Sequence, residues 1–118
     1  MEVDLYHYNA IVRSVYDGDT CTVDIDLGLG CWVHSEKIRL HRINTPEVRG
    51  SQRPQGLISR DFLRSKIDKK KIILQTIRDK KGKYGRYLGE IWIKDEAGNH
   101  ININDLLVRE GYAEYKEY

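Results

Sequence analysis

The chain has 118 residues, a common size for one domain, and we expect a single domain over residues 1–118. Hydrophobic residues make up 40% and charged residues 32%, which is typical of a soluble globular protein. No apolar run reaches the length of a membrane span, so we expect no membrane partner. The formal net charge is +2, and so weak a field does not by itself identify a nucleic-acid binder.

The cysteines and the N-terminus bear on the cellular compartment. Cys21 and Cys31 fall out of register in a hairpin of strands 20–27 and 31–40, so we expect no disulfide between them. Two thiols cannot form a zinc site alone, and two reduced thiols in or near the core are the favoured interpretation. The segment 1–4 is not a signal peptide, which fits a cytoplasmic protein or a secreted one whose signal was removed.

The first third of the chain predicts three strands. Strand-forming residues fill 8–16, and Asp17-Gly18-Asp19 is a turn signal. Residues 20–27 alternate, with Cys21, Val23, Ile25 and Leu27 on one face and Thr20, Thr22, Asp24 and Asp26 on the other. Gly28-Leu29-Gly30 then turns the chain into a third strand over 31–40.

The rest of the chain predicts two helices and two strands. Pro54 suits the first turn of a helix whose apolar residues recur at helical spacing over 55–68: Leu57, Ile58, Phe62, Leu63 and Ile67. Strands follow near 72–77 and 88–93, joined by a polar hairpin loop at 79–84. In a short last helix, Asn102 is the predicted N-cap, Asp105 lies in the first turn, and Gly111 is a natural stop.

This order of elements predicts a mainly β, α+β fold. Five strands, with a helix between the third and fourth and a short C-terminal helix, form the layout of an OB-fold, a five-stranded Greek-key barrel. The same order also occurs in other small α+β domains.

Three polar clusters at predicted strand ends could support cleavage of a phosphodiester, which needs an activated water and cations facing the phosphoryl oxygens. Asp17-Gly18-Asp19-Thr20 offers carboxylates at a turn, although a structural role is favoured for this motif alone. The exit of the third strand carries Arg39, Asn44, Thr45 and Glu47 around a stiff proline. Lys83-Tyr84-Gly85-Arg86 opens the fifth strand. Taken singly, Arg39 could pair with a surface carboxylate, and Arg86 could extend along the surface.

Together with Leu107-Val108-Arg109-Glu110-Gly111, these clusters resemble the motifs of the staphylococcal nuclease (thermonuclease) family, in the family's order and with compatible spacing. The resemblance covers nearly the whole chain. It implies a nuclease, a hydrolase that depends on one calcium ion and cuts DNA and RNA into 3′-phosphorylated fragments.

The resemblance also implies a calcium site. Asp19 is similar to the family's calcium-binding aspartate, and the backbone carbonyl of Thr45 matches a further ligand. Asn44 stands where the family often has a second aspartate. It keeps a carbonyl oxygen but lacks the negative charge, so we expect weaker calcium binding than with aspartate.

The remaining positions match the catalytic and substrate-binding residues of the family. Glu47 is similar to the glutamate that acts through a metal-bound water as the proposed general base. Arg39 and Arg86 match the two phosphate-binding arginines, and Lys83 and Tyr84 match positions that line the nucleotide site.

Three classes of function compete. A calcium-dependent nuclease is favoured because Arg39, Glu47 and Arg86 are all present. A non-catalytic nucleic-acid-binding domain of the same fold is the alternative, and Asn44 is the feature that favours it. A structural or protein-interaction barrel would show no metal response and no salt-sensitive affinity for nucleic acid. We expect DNA and RNA as partners, single strands as the easier substrate, and a monomer.

Overall fold

The computed structural model describes residues 5–81 and 85–116, without the side chains of residues 78–81. The elements in chain order are β1 (His7–Asp17), β2 (Thr20–Gly28), β3 (Cys31–Leu40), β4 (Ile43–Asn44), a 3-10 turn (Gly50–Gln52), α1 (Arg53–Ile67), β5 (Lys71–Lys81), β6 (Tyr87–Lys94), β7 (His100–Asn102), α2 (Ile103–Arg109) and β8 (Glu114–Tyr115). No helix among these described residues is long and apolar enough to cross a membrane.

Five of the strands close a barrel. β1 pairs antiparallel with β2 and β5, β2 pairs with β3, and β5 pairs with β6. A parallel pairing of β3 with β6 joins the two ends of the sheet. α1 lies between the third and fourth strands of this barrel, and α2 follows its fifth strand. The predicted mainly β, OB-type barrel with two helices is therefore confirmed.

The core fills the barrel and the space beneath α1. The fully buried large side chains come from strands of both halves and from both helices: Ile38, Leu40, Ile43, Leu63, Ile67, Leu74, Ile91, Ile103, Leu107, Val12 and Val23. α1 contributes Leu63 and Ile67 to this core, whereas Ile58 is 56% exposed. Ile58 recurs at the same helical spacing but stays exposed, because α1 packs mainly on β1 and only one side of the helix is covered.

Short-range signals at α2 are confirmed. The Asn102 side chain accepts a hydrogen bond from the Asp105 N–H at 3.0 Å, so the helix has the predicted N-cap. Gly111 has a φ of +86°, which lets the chain leave the helix through the left-handed region.

Asn104 in α2 ties together the two strands that close the barrel. Its amide Nδ2 donates to the carbonyls of His41 at 2.9 Å and Gly89 at 3.0 Å, and its Oδ1 accepts from the Ile91 N–H at 3.2 Å. Asn104 is fully buried, so all three bonds form away from water. The exit of β3 and the middle of β6 are therefore held at a fixed separation.

The β2–β3 hairpin differs from its predicted alternation in two ways. A register shift between Val23 and Ile25 accompanies burial of Asp24, whose carboxylate is the acceptor for Arg13 Nε and for the Ser35 N–H. Cys21 is buried, but Cys31 is exposed at the tip of the hairpin. Both thiols are free as predicted, and the placement of Cys31 in or near the core was wrong because it lies directly at the turn.

Candidate active site

The turn between β1 and β2 packs closely against the rest of the protein, and Gly18 makes this possible. A Cβ atom on Gly18 would lie 2.8 Å from Ser59 Cβ in α1 and 2.9 Å from Thr45 Cγ2 after β4. Any larger residue would therefore push the turn away from both. The close contact leaves Asp19 only 6% exposed, beside the strand exit that carries the other predicted ligands.

The Asp19 carboxylate is held by three neighbours. Oδ2 accepts a hydrogen bond from the Thr45 N–H at 3.1 Å and lies 3.3 Å from Nη2 of Arg39. Oδ1 accepts from the Thr20 hydroxyl at 3.2 Å. Because both Asp19 and Arg39 are nearly buried, this ion pair is screened little by water. Asp19 and Arg39, predicted separately from motifs 20 residues apart, are thus in direct contact.

Arg39 is fixed in place by backbone oxygens. Its Nη1 donates to the carbonyls of Leu40 at 2.7 Å and Ile43 at 3.0 Å, and its Nη2 reaches Asn44 Oδ1 at 3.5 Å. The side chain is 11% exposed, so little of Arg39 meets solvent. The alternative that Arg39 pairs with a surface carboxylate is wrong, since its carboxylate partner Asp19 is buried.

A second carboxyl group, Asp17, lies in the same turn. Its Oδ1 accepts from the Asp19 N–H at 3.0 Å. Burial, followed by the negative charge of Asp19, raises the pKa of Asp17 to about 7. Asp17 is therefore only partly ionised near pH 7 and adds little negative charge to the turn.

The oxygens around Asp19 suit a hard cation. Asp19 supplies a carboxylate, Asn44 supplies an amide oxygen, and Thr45 supplies a backbone carbonyl, and oxygen ligands of this kind are those that Ca²⁺ prefers. Thr45 Oγ1 is buried and finds no hydrogen-bond partner among the described residues. Calcium binding at these residues stays a prediction, and the ion would need water or substrate oxygens to complete its six to eight ligands.

Glu47 stands at the margin of this cluster, on the loop before α1. Its side chain is exposed, and its backbone N–H donates to Gln52 Oε1 at 3.0 Å. Gly56 in α1 allows the loop to pass close to the helix, because a Cβ at this position would lie 2.0 Å from the Glu47 carbonyl oxygen. The helix thus fixes where the loop crosses it, while the carboxylate stays accessible to a substrate.

Arg86 lines a groove of about 640 Å³ that runs between α1 and strands β1 to β3. Thr20, the neighbour of Asp19 in sequence, lines the same groove, as does Lys37. The groove therefore meets the Asp19 cluster at Thr20, while Asn44 and Thr45 line a separate cavity. Lys83 and Tyr84, the two predicted substrate-binding residues, lie outside the described residues.

Sequence reasoning missed the other basic residues of this groove. Arg49, Arg53, Arg60 and Arg64 line it along α1 and the turn before it. The helical periodicity of this segment predicts a shared face for its arginines as well as for its apolar residues. The three helical arginines share a face of α1 because they are spaced i, i+7 and i+11. That spacing was the available signal.

The fold and the site define a class of protein: a small closed β-barrel of the OB type with a carboxylate–arginine cluster at one end. The family model described as staphylococcal nuclease homologue matches residues 37–118. A thermonuclease of Staphylococcus intermedius is 32% identical over 111 residues, which cover 92% of this chain and 60% of the relative. A thermonuclease of Staphylococcus hyicus is 30% identical, over 91% of this chain and 59% of the relative.

An uncharacterized protein of Methanocaldococcus jannaschii is 32% identical, over 91% of this chain and 58% of the relative. The chain therefore spans about 60% of the length of the relatives it matches. The chain belongs to the staphylococcal nuclease homologue family.

Proposed function

We propose that this chain is a calcium-dependent nuclease that hydrolyses phosphodiester bonds of DNA and RNA and leaves 3′-phosphates. The observation that carries the proposal is the cluster in which Asp19, Arg39, Asn44 and Thr45 meet, next to the groove lined by Arg86. Hydrolysis builds negative charge on the phosphoryl oxygens, and guanidinium groups placed in advance stabilise that charge. The printed names of the two staphylococcal relatives agree with this activity.

A calcium ion held by Asp19, Asn44 and the Thr45 carbonyl would supply charge neutralisation and Lewis-acid polarisation of a phosphoryl oxygen. The protein's own arginines act beside it. Arg39 donates to a phosphoryl oxygen, and Arg86 grips the phosphoryl group from the groove, where its planar fork can bind two oxygens at once. Lysine has no such fork, so it could not replace Arg86 fully.

Glu47 acts as the general base of the proposed reaction. Its carboxylate takes a proton from a water molecule as the water oxygen forms a bond to phosphorus. The P–O5′ bond breaks, its electron pair leaves with O5′, and this oxygen takes up a proton from solvent. The products are a 3′-phosphate and a free 5′-hydroxyl. The loop contacts at Gln52 and Gly56 support this role because they position the residue without covering its carboxylate.

A nucleic-acid-binding domain without activity is the second candidate, and two observations favour it. Asn44 lacks the charge of a second carboxylate, and Asp19 already has a cationic partner in Arg39 at 3.3 Å. Both would reduce the affinity for calcium. The groove and its cations would still bind a nucleic-acid strand.

The experiment that separates the two candidates is cleavage of heat-denatured DNA and of RNA while calcium is titrated, with a chelator control. The nuclease proposal predicts calcium-dependent cutting and products that a kinase labels at the 5′-end without prior phosphatase treatment. Salt-sensitive binding of the same strands with no cutting at any calcium or magnesium concentration would support the binding domain instead. The proposed substrate form is single-stranded and the proposed state is a monomer; cutting of the corresponding duplex and the mass in solution test these two points.

A further inference from the structure

The groove beside the candidate site is lined by an unusual number of cations. Its 640 Å³ are bordered by six basic side chains, and no carboxylate is among the described residues that line it. Besides Arg86, the basic residues are Lys37, Arg49, Arg53, Arg60 and Arg64. These five are named here the groove cations. For a chain whose formal net charge is only +2, this is a strong local concentration of positive charge.

The groove cations are held mainly by neutral groups. Arg64 donates through Nε and Nη2 to the Val15 carbonyl at 3.3 and 3.0 Å, and Arg53 donates to the Val48 carbonyl at 3.1 Å. These contacts orient the guanidinium groups but leave their charge in place. The exception is Arg60, which pairs with the largely exposed Asp61 at 3.1 Å. Such a pair contributes little and yields readily to a stronger anion.

The position of Arg53 has no stabilising explanation within the helix. It is the first residue of α1, and the first turn contains no acidic residue. The N-terminal end of a helix carries partial positive charge, so a cation there is unfavourable and an anion is favourable. Arg49 lies four residues earlier and faces the same groove, where its Nη2 reaches the Tyr16 hydroxyl at 3.3 Å. Charge is thus concentrated where only an external anion would be stabilised.

The groove cations form a track in the groove that Arg86 also lines. Arg53 and Arg64 are eleven residues apart on α1, which corresponds to about 16 Å along the helix axis. Arg86 and Thr20 lie in the same groove, so the groove cations share it with the phosphate-binding arginine predicted for catalysis. Tyr16 lines the groove as well and is 55% exposed, which gives a nucleic-acid base an aromatic ring to stack on.

We propose that the groove cations bind the phosphates of a single nucleic-acid strand on one side of the scissile bond. This inference rests on the proposed function for the direction of the strand, since it places the scissile phosphate at Arg86. If the groove cations bind phosphates in this way, the preferred substrate is a polynucleotide several phosphates long rather than a dinucleotide. The groove cations are substrate-binding residues and take no part in the chemical step.

The test compares two triple variants that remove the same charge. The track variant carries Arg49→Gln, Arg53→Gln and Arg60→Gln, which remove three of the five groove cations. Arg64 is kept because it anchors α1 to β1. The control replaces the three exposed lysines at the far end of α1, residues 69 to 71, by glutamine. Circular dichroism and urea unfolding check that both variants fold.

Binding is measured first, in a chelator so that no strand is cut. The affinity for a labelled single strand of about 20 nucleotides is followed by anisotropy between about 50 and 200 mM salt. The track variant should reduce the slope of log K against log salt by about 2, because each lost phosphate contact on a single strand contributes about 0.7. The control variant should stay within about 0.5 of the parent slope.

Cleavage is measured second, with calcium. The track variant should raise KM for the long strand with kcat unchanged, since uniform binding is lost, and should leave a dinucleotide substrate unaffected. If binding depends on the track but neither protein cuts, the groove inference stands and the nuclease proposal fails. If the parent cuts but the two triple variants match in affinity, slope and KM, the groove inference is overturned and the nuclease proposal stands. Absence of any binding overturns both.

Discussion

Replacement of Asn104 by alanine tests the idea that a buried amide reinforces the pairing of β3 with β6 near the candidate arginines. Asn104 bonds to the exit of β3, which carries Arg39, and to β6, whose start lies beside Arg86. Truncation removes one acceptor and two donated hydrogen bonds in a region without water. We therefore expect a large loss of stability and a change in the spacing of the two arginines.

The size of the loss follows from what each partner retains. The Gly89 carbonyl keeps a second donor, the His41 N–H at 2.8 Å. Losing the bond from Asn104 at this carbonyl therefore costs little stability. The Ile91 N–H is left buried without a partner, which costs about 1–3 kcal/mol. The cavity left by the amide adds to this cost. A total of about 3 kcal/mol is a large part of the 5–15 kcal/mol that stabilises a typical domain, and would lower Tm by about 10 °C.

The assay is urea unfolding followed by the fluorescence of Trp92, which lies on β6. The matched control is Asn99→Ala, which truncates an exposed asparagine in the turn before β7. The control should stay within about 0.5 kcal/mol of the parent. A loss below about 1 kcal/mol for Asn104→Ala would refute the reasoning, because it would mean that the strands hold their separation without the amide.

Three further predictions concern the site and the hairpin. Gly56→Ala places a Cβ 2.0 Å from the Glu47 carbonyl oxygen, so the loop must shift; we expect a loss of about 1–3 kcal/mol in urea unfolding and a lower kcat, and unchanged kcat would contradict the placement of Glu47. Asn44→Asp should raise calcium affinity in titration calorimetry because it adds a ligand charge; an unchanged or lower affinity counts against the proposed calcium site. Hydrogen bonds from the Ser35 N–H and then Arg13 lower the pKa of Asp24 to about 2. The stability that Asp24 provides is therefore present above about pH 4 and is lost as the pH falls towards 2. Asp24→Asn should weaken the dependence of the urea midpoint on pH over that range. An equal pH dependence of the midpoint in both proteins would be the contrary result.

The features that were predicted correctly from the sequence depend on neighbours in the chain. The cap at Asn102, the stop at Gly111 and the hairpin turn around Leu29 each follow from local backbone chemistry. The order of the five barrel strands also follows from local patterns, and it was enough to suggest the OB-type barrel.

The features that could not be predicted depend on distant contacts. The ion pair between Asp19 and Arg39 joins two motifs that each had a structural explanation of their own. The burial of Asp24 follows from a register shift that a strict alternation cannot show. The pairing of β4 with β8, which lays Asn44 opposite Glu114, involves two residues on each side and leaves no pattern in the sequence.

The catalytic assignments of Glu47 and Arg86 stay predictions, since no contact in the structure tests a chemical role. The structure makes them specific enough to test. Glu47 is exposed on a loop fixed against α1, and Arg86 lines the groove that meets the Asp19 cluster at Thr20. Exposed residues of the same type elsewhere, Glu96 and Arg109, provide matched controls.

The most direct measurement is the single-turnover rate of cleavage of denatured DNA at saturating calcium for Glu47→Gln and Arg86→Lys. The controls are Glu96→Gln and Arg109→Lys. The account predicts that each site variant loses at least about 10²-fold in rate, because a general base or a transition-state donor is removed, while the controls cut like the parent. Site variants that cut within about twofold of the parent would contradict the proposed active site.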